Sequence, residues 1–322
     1  MAKLSLYLFV GGGLSLLFAF ACHVVYSTLL ARGGGVAALR LAPARLAGAA
    51  VGDGTATITV SGGGADGGTD RTAAVGSIAL VATWLGWLLL GLSMLTRAII
   101  VGRGPWGSMF EFALAFAFGI VSGYLFLQRR YPIRSLGLIP LGVASFLLVY
   151  AFSLLLALSV PGSTVVPTFE PLVPALDNAP LLTIHVAMAM ISYGIFAVSF
   201  AAAVGYLLQG QGDRFAWLPS HKTLDEVAYR AVIIGFPIFA TMIILGSWWA
   251  SIAWGRYWGW DPKETSALVT WLIYAVYLHA RNARGWAGRP AALILVVGFG
   301  AIMFTFFGNL YFSGLHAYSG LN

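Results

Sequence analysis

The stretch from Trp248 to Glu264, WWASIAWGRYWGWDPKE, connects two strongly apolar segments of the chain. Five of the eleven tryptophans fall within its first thirteen residues, and glycines separate several of them. The flanking segments, near residues 231–250 and 265–280, have the composition of membrane-spanning helices, which need roughly 17 to 25 apolar residues; the second is short. The stretch therefore predicts an aromatic connection between two membrane helices.

The composition of the whole chain supports a membrane location. Of its 322 residues, 59% are hydrophobic and 9% are charged, and the mean hydropathy is +0.86. These values exclude an ordinary soluble domain. Apolar segments of about spanning length occur near residues 5–30, 76–96, 107–127, 136–158, 181–208, 231–250, 265–280 and 290–312. The sequence predicts an all-α polytopic membrane protein with about eight transmembrane helices.

The positions of the basic residues predict the orientation, because lysine and arginine are retained on the cytoplasmic side. If the N-terminus is outside, thirteen of the eighteen basic residues fall on the inner side. Both termini and the tryptophan-rich connection between the sixth and seventh segments are then expected outside. The net charge of +7 is explained by this orientation, and we predict no nucleic-acid partner.

Two regions are predicted. Residues 1–104 contain the first two helices, with a flexible inner loop at 32–74 that is rich in Gly, Ala and Thr. An apolar run after Lys3 continues to Leu30 and is followed by arginines, so it predicts a retained helix rather than a cleaved signal peptide. Residues 105–322 form the second region, which includes the aromatic loop at 246–264.

The end of the aromatic stretch predicts a helix start. Asp261 is a good N-cap residue, Pro262 suits the first helical position, and Glu264 follows three residues after the cap. The seventh helix is therefore expected to begin at about Pro262. Residues 250–260 would form the external connection or a shallow segment at the membrane interface.

Two interpretations fit the tryptophans. An aromatic belt at the headgroup level is one, because Trp is enriched there. A ligand platform is the other, since a belt would scatter its tryptophans over several helix ends. The tryptophans concerned are Trp248, Trp249, Trp254, Trp258 and Trp260. With Arg256 and Lys263 among them, their faces suit a large planar apolar ligand that carries peripheral carboxylates.

The five histidines are informative, because ionisable residues in membrane helices are costly and usually functional. His185 and His316 are both expected on the outer face, where neutral imidazoles could ligate iron; each could instead be a hydrogen-bonded interface histidine. His279 is expected at the inner end of the seventh helix. It could be a ligand, or a histidine at the helix end that is hydrogen-bonded to a main-chain carbonyl. His23 is interpreted as packed and hydrogen-bonded, and His221 as solvated.

WGRYWGWD resembles the tryptophan-rich WWD signature of haem-handling proteins, W-G-x-x-W-x-W-D, at Trp254, Gly255, Trp258, Trp260 and Asp261. The following PKETSALVTWLIYAVYLHAR is similar to the CcsA (ResC) family of system II cytochrome c biogenesis. A weaker match is PWGSMFE at 105–111, in which Ser108 replaces an asparagine of the family pattern. Glu111 there is interpreted either as a polar partner of the site or as a hydrogen-bonded helix-start residue.

The resemblance implies the ligands and partners. Haem b is expected as substrate and bound ligand, with His185 and His316 as axial ligands of its iron outside and His279 as a ligand of an internal haem site. The tryptophans, with Asp261, would hold the macrocycle. Their charge, and not the resemblance, makes Arg256 and Lys263 candidate contacts of its propionates; the alternative is that both are solvated cations of the loop. The implied partners are a CcsB (ResB)-like membrane protein, which supplies the second internal histidine, and an apocytochrome c with a Cys-x-x-Cys-His motif.

The function implied is that of a haem-presenting component of a holocytochrome c synthase, or haem lyase. It would act in a bacterial cytoplasmic membrane or a thylakoid membrane, with its haem site on the outer face. Alternative interpretations are a haem exporter or chaperone without synthase activity, a b-type haem electron-transfer subunit, and a transporter with an aromatic gate. A site formed internally by His23 and His279 is a further hypothesis.

Substitution of Trp254, Trp258 and Trp260 separates the platform from the belt. We expect the variant to insert into the membrane normally and to retain less haem at the external site, because the aromatic walls are lost. Haem content per purified protein measures this effect. Equal haem content in the variant and the wild type would make the cluster an aromatic belt.

Overall fold

The computed structural model describes residues 1–40, 66–158, 179–210, 212–308, 311–312 and 314–316. Within these residues the chain is helical and contains no strand. Its helices are α1 (Ala2–Arg40), α2 (Asp66–Val101), α3 (Met109–Gln128), α4 (Leu138–Leu158), α5 (Ala179–Gln209), α6 (His221–Trp254), α7 (Pro262–Arg284) and α8 (Arg289–Phe307). A short 3₁₀ helix, Arg134–Gly137, precedes α4. The prediction of an all-α polytopic membrane protein is confirmed.

Among the eight α-helices that the described residues form, seven are long and apolar enough to cross a membrane. The helix outside that set is α7, whose polar and aromatic side chains reduce its hydropathy. It is nevertheless a continuous helix that packs against α6 and α8. Its buried face carries Thr270, Tyr274 and Tyr277, and Tyr274 stacks on Phe196 of α5 with 3.8 Å between ring centroids.

Helices α1 and α2 pack along each other, and their ends correct the predicted loop at 32–74. The helical backbone of α1 continues to Arg40 and that of α2 begins at Asp66. Gly and Ala residues, which predicted a loop there, are tolerated in these long helices. The remaining part of the predicted loop, residues 41–65, lies outside the described residues.

The centre of the bundle is α5, which contacts α3, α4, α6 and α8. It approaches α3 closely because glycines face each other at the crossing. A Cβ atom added to Gly119 would lie 2.5 Å from the main-chain oxygen of Met190, and one added to Gly123 would lie 2.8 Å from that of Gly194. Small residues of this kind let helix backbones meet in membranes.

Helix α6 is longer than the sequence predicted, and this corrects the position of the aromatic connection. It continues to Trp254, where Gly255 ends it in the left-handed conformation with φ of 71°. Trp248, Trp249 and Trp254 therefore lie on the last turns of a helix. Only residues 255–260 connect α6 to α7. A continuous helix keeps the main-chain N–H groups of residues 250–254 hydrogen-bonded, which a loop at the membrane boundary would not.

Gly119→Ala tests the close crossing of α3 and α5. We expect a loss of about 1–3 kcal/mol in the free energy of unfolding, because the added methyl group meets backbone and not a flexible side chain. Thermal unfolding of the purified protein in detergent measures the loss. Gly300→Ala in α8 is the matched control, since a Cβ there meets nothing within 4 Å. Equal unfolding temperatures for the two variants would contradict the crossing.

Candidate functional site

The turn between α6 and α7 is organised around the start of α7. Asp261 caps the helix, with its side chain accepting a hydrogen bond from the main-chain N–H of Lys263 at 3.1 Å. Glu264 accepts in return from the N–H of Asp261 at 3.2 Å, which completes a capping box. Trp260, just before the cap, has φ of 56°, a conformation that costs a non-glycine residue about 1–2 kcal/mol. The predicted helix start is confirmed.

Asp261 also binds the segment that follows α8. Its Oδ1 accepts a hydrogen bond from the N–H of Leu315 at 2.5 Å, and its Oδ2 accepts one from Nδ1 of His316 at 2.7 Å. Burial raises the pKa of Asp261, but the hydrogen bonds that its carboxylate accepts from His316 and from main-chain N–H groups outweigh burial, so the pKa lies below its usual value. The carboxylate is therefore ionised at neutral pH.

His316 is held in one tautomer by this bond. A carboxylate only accepts hydrogen bonds, so Nδ1 carries the proton of the neutral ring and Nε2 carries the lone pair. Burial lowers the pKa of His316, although the hydrogen bond to Asp261 opposes it. The ring packs against Trp254 and Trp249, at centroid distances of 4.9 and 6.0 Å. It is therefore a neutral imidazole in an aromatic setting.

His185, near the start of α5, is held in the same tautomer as His316, here by a main-chain carbonyl oxygen. Its Nδ1 lies 2.8 Å from the carbonyl oxygen of Met242 in α6, so Nδ1 carries the proton and Nε2 carries the lone pair. The ring is parallel to that of Trp249, with 6.5 Å between centroids. Gly246 makes room for it, because a Cβ at that position would lie 2.5 Å from Cε1 of the ring.

Both histidines line one cavity between α3, α5, α6, α7 and α8. Its wall includes the following aromatic and polar residues: His185, His316, Trp106, Trp249, Trp258 and Lys263. The cavity encloses about 100 Å³, which is less than the 300 to 1,000 Å³ of typical ligand pockets. Trp258, Ile243 and Ser247 also line an open groove beside Trp248 and Tyr257. A large ligand bound at the histidines would therefore extend into that groove.

The cavity wall offers polar donors as well as lone pairs. The indole nitrogens of Trp106, Trp249 and Trp258 are buried and have no hydrogen-bond partner among the described residues. Buried polar groups are normally paired, so these N–H groups could serve a bound acceptor. The Nζ of Lys263 lies 5.3 Å from the ring centroid of Phe112 and adds a positive charge. The arrangement suits a ligand with a metal centre and anionic edges.

The other predicted site residues lie at the edge of this arrangement or away from it. Trp260 and Trp248 are 70% and 55% exposed, and Trp260 packs edge-on against Trp258. Arg256 is exposed beside Gly259, so the structure brings Lys263 but not Arg256 to the cavity. His279 is on the exposed face near the end of α7.

His23 and His279 lie in different surroundings. The ring of His23 is fully buried, 6.0 Å from that of Tyr124 in α3 and close to Gly137. His279 is exposed on α7. The ring of His23 is therefore packed as predicted, but neither of its nitrogens has a hydrogen-bond partner among the described residues, so the predicted hydrogen bond is not found there. The hypothesis of a site formed by the two is not supported. His221, near the start of α6, is hydrogen-bonded to exposed Asp213 at 3.0 Å.

Glu111 is a helix-start residue with its own partners. It is buried and accepts hydrogen bonds from Arg97, from Arg103 at 3.3 Å and from the N–H of Gly107 at 2.5 Å. These contacts link the end of α2 to the start of α3. Ser108, which replaces the asparagine of the family pattern, caps α3 through the N–H of Glu111.

Sequence reasoning missed Trp106, Gly246 and Gly314. Trp106 lies in the weaker of the two motifs, PWGSMFE, from which only Ser108 and Glu111 were considered for a role. Gly246 lies just before the Trp248–Trp249 pair. Gly314 lies two residues before His316, and a Cβ added to Gly314 would contact Asp261. A glycine next to a candidate ligand is the signal that could have identified both.

The chain is similar to proteins of cytochrome c biogenesis. Residues 106–316 match the model of the cytochrome c assembly protein family. The chain is 30% identical to the cytochrome c biogenesis protein CcsA of Porphyra purpurea, over 78% of this chain and 90% of the relative. It is 32% identical to that of Trieres chinensis, over 79% and 89%, and 31% identical to that of Microcystis aeruginosa, over 69% and 81%.

Among solved structures, the fold is similar to that of the cytochrome c heme lyase CcmF, with a TM-score of 0.56. The sequence identity is 18%, and the match covers 93% of this chain but 46% of that one. At this identity the similarity concerns the fold alone. The present chain therefore spans less than half the length of that larger protein.

Gly246→Ala tests how His185 is held. The added methyl group overlaps the ring, so we expect the bond from Nδ1 to the Met242 carbonyl to break and the imidazole to become more accessible. Mass spectrometry after reaction with diethyl pyrocarbonate measures this, with several-fold higher modification of His185 expected. Gly300→Ala is again the control, and unchanged modification in Gly246→Ala would contradict the packing.

Proposed function

This chain belongs to the cytochrome c assembly protein family, and we propose that it presents haem for covalent attachment to apocytochrome c. Membership in the CcsA group assigns it to cytochrome c biogenesis as a multi-pass membrane protein. The proposal adds that the chain is the haem-binding subunit of a holocytochrome c synthase. Haem is then the substrate, handed from protein to protein.

The observation that carries the proposal is the convergence of His185 and His316 on one aromatic cavity. They are 131 residues apart in sequence, and each donates its Nδ1 proton to a fixed acceptor of the protein. Each therefore keeps an Nε2 lone pair, which is the state that ligates iron. Two imidazoles can occupy both axial positions of a haem iron and limit its reaction with oxygen or peroxide.

The ligand set fits haem better than a bare metal ion. Within the described part of the chain, no cluster of three or more His, Cys, Asp or Glu side chains could hold a metal ion. Two protein ligands are too few for the tetrahedral sites that bind zinc. Haem iron already has four nitrogen ligands from its macrocycle, so two histidines complete its coordination.

The peripheral groups of haem find matching partners in the cavity. Lys263 and the indole N–H groups of Trp106, Trp249 and Trp258 could bind the propionates, since all are hydrogen-bond donors. Arg256 is exposed beside the turn and would reach a propionate only at the outer edge. The groove beside Trp248 and Trp258 would take the part of the macrocycle that the small cavity cannot hold. Haem b fits this role because its two vinyl groups are free to react.

The chemistry expected of the protein is positioning. Each cysteine S–H of the apocytochrome motif adds across one vinyl C=C bond: a C–S bond forms, the hydrogen goes to the other vinyl carbon, and no net oxidation occurs. The histidine of the same motif replaces one of the two axial imidazoles. Holding the reactants together in the correct orientation lowers the barrier to such additions by several kcal/mol. No residue is assigned as an acid or base.

We propose that haem arrives from the other end of the bundle. His279 is exposed near the end of α7 that is remote from Asp261, so a second ligand there could come from a CcsB-like membrane partner. The proposed setting is a bacterial cytoplasmic membrane, or a thylakoid membrane, with His185 and His316 on the outer side. The clustering of basic residues in the predicted inner connections supports that orientation.

His185→Ala and His316→Ala test the proposed function. We expect each to abolish cytochrome c maturation and to remove the bis-histidine absorption spectrum of the purified protein. Added imidazole should partly restore both, because it occupies the vacant axial position. Visible spectra with and without dithionite, together with haem staining of a co-expressed cytochrome c, are the measurements.

The matched control is His221→Ala, since that histidine is bonded to Asp213 beside the start of α6 and not to the cavity residues. Its spectrum and maturation should equal those of the wild type. Unimpaired maturation in His185→Ala or His316→Ala would remove that residue from the ligand set. A normal haem spectrum, combined with transfer of haem but no thioether formation, would favour a haem exporter or chaperone.

A further inference from the structure

The hydrogen bonds behind the two histidines are chemically different. The Nδ1 proton of His185 goes to the carbonyl oxygen of Met242, a neutral acceptor, at 2.8 Å. That of His316 goes to the carboxylate of Asp261 at 2.7 Å. We propose that Asp261 is a positioning residue that makes His316 the stronger axial ligand and lowers the reduction potential of the bound haem. This inference rests on the proposed function.

The geometry around Asp261 fixes its carboxylate with little freedom. The side chain is 3% exposed, and Oδ1 and Oδ2 accept hydrogen bonds from Leu315 and Lys263 as well as from His316. Gly314 has no Cβ that would press on the carboxylate. The carboxylate therefore stays in place whether or not the imidazole is bound to iron, as a positioning group must.

The charge of Asp261 acts on iron through the imidazole. A hydrogen bond from Nδ1 to a carboxylate increases the electron density at Nε2, so the ring becomes a more basic ligand. Ferric iron carries one more positive charge than ferrous iron and gains more from that basicity. Haem held by His316 should therefore favour the ferric state more than haem held only by carbonyl-bonded imidazoles.

The alternative is that Asp261 serves only as the N-cap of α7. Asn caps a helix about as well as Asp does, so Asp261→Asn keeps that function and removes the charge. The amide oxygen of the asparagine can still accept hydrogen bonds from the N–H of Lys263 and from Nδ1 of His316. The hydrogen bond from the N–H of Leu315 is lost, because the amide nitrogen takes the place of Oδ1. Capping alone predicts a normal haem spectrum and potential in this variant.

The matched control is Glu264→Gln. Glu264 accepts from the main-chain N–H groups of Gly259 and Asp261, so this variant removes one negative charge from the same turn. Gln also preserves a capping box. A general electrostatic effect would shift the potential equally in Asp261→Asn and Glu264→Gln. An effect through the imidazole would be larger in Asp261→Asn.

The experiment is a potentiometric titration of haem in the full-length protein purified in detergent, monitored by visible absorption. For Asp261→Asn we expect the preference for ferric over ferrous haem to fall at least tenfold, a shift of about 59 mV to more positive potential. Glu264→Gln should shift the potential clearly less. Haem should also be lost from Asp261→Asn several-fold faster, and imidazole should slow that loss.

Equal potentials in the wild type and Asp261→Asn, or equal shifts in both variants, would overturn the inference. Introducing Asp261→Asn into His316→Ala gives a second measurement, made with pyridine present, which can ligate iron but has no N–H to donate: the further shift should vanish, because Asp261 acts through the hydrogen bond to the ring. A persistent shift would mean that Asp261 acts directly. If His316→Ala leaves the wild-type spectrum unchanged, the proposed function itself fails, which is a different result.

Discussion

The carboxylate of Asp261 is the interaction on which the site depends. It joins three parts of the chain: the turn after α6, the first turn of α7 and the segment after α8. Without it the start of α7 would lose its cap and His316 would lose the acceptor that sets its tautomer. One ionised group, kept charged by its hydrogen bonds, therefore couples helix initiation to ligand geometry.

The other half of the site depends on close packing. His185 reaches the cavity because Gly246 lets α6 accept an imidazole against its backbone, and α5 is itself set against α3 by Gly119 and Gly194. In a bilayer the hydrophobic effect does little to hold helices together, so van der Waals contact at such glycines becomes decisive. The result is an imidazole that is fixed in place by an uncharged neighbour.

The sequence predicted the helical membrane fold and the cap at Asp261, because spanning segments and capping boxes are local patterns. It also selected His185 and His316, by their position and by family resemblance. It did not predict that α6 continues to Trp254, because five aromatic residues near glycines are typical of a connection. It could not separate Lys263 from Arg256, since only the three-dimensional path of the turn decides which of two nearby cations reaches the cavity.

The polar character of α7 is explained by the polar residues at its two ends. Its first turn carries Asp261, Lys263 and Glu264, and its far end carries exposed His279 and an ion pair from Arg281 to Asp225 of α6 at 2.5 Å. Charged groups at membrane depth are retained where they serve a site or find a partner. A helix composed of leucine and valine alone would be more apolar, but it would lack the carboxylates at its start and the arginine that pairs with α6 at its far end. The low hydropathy of α7 is thus explained by the groups it must position.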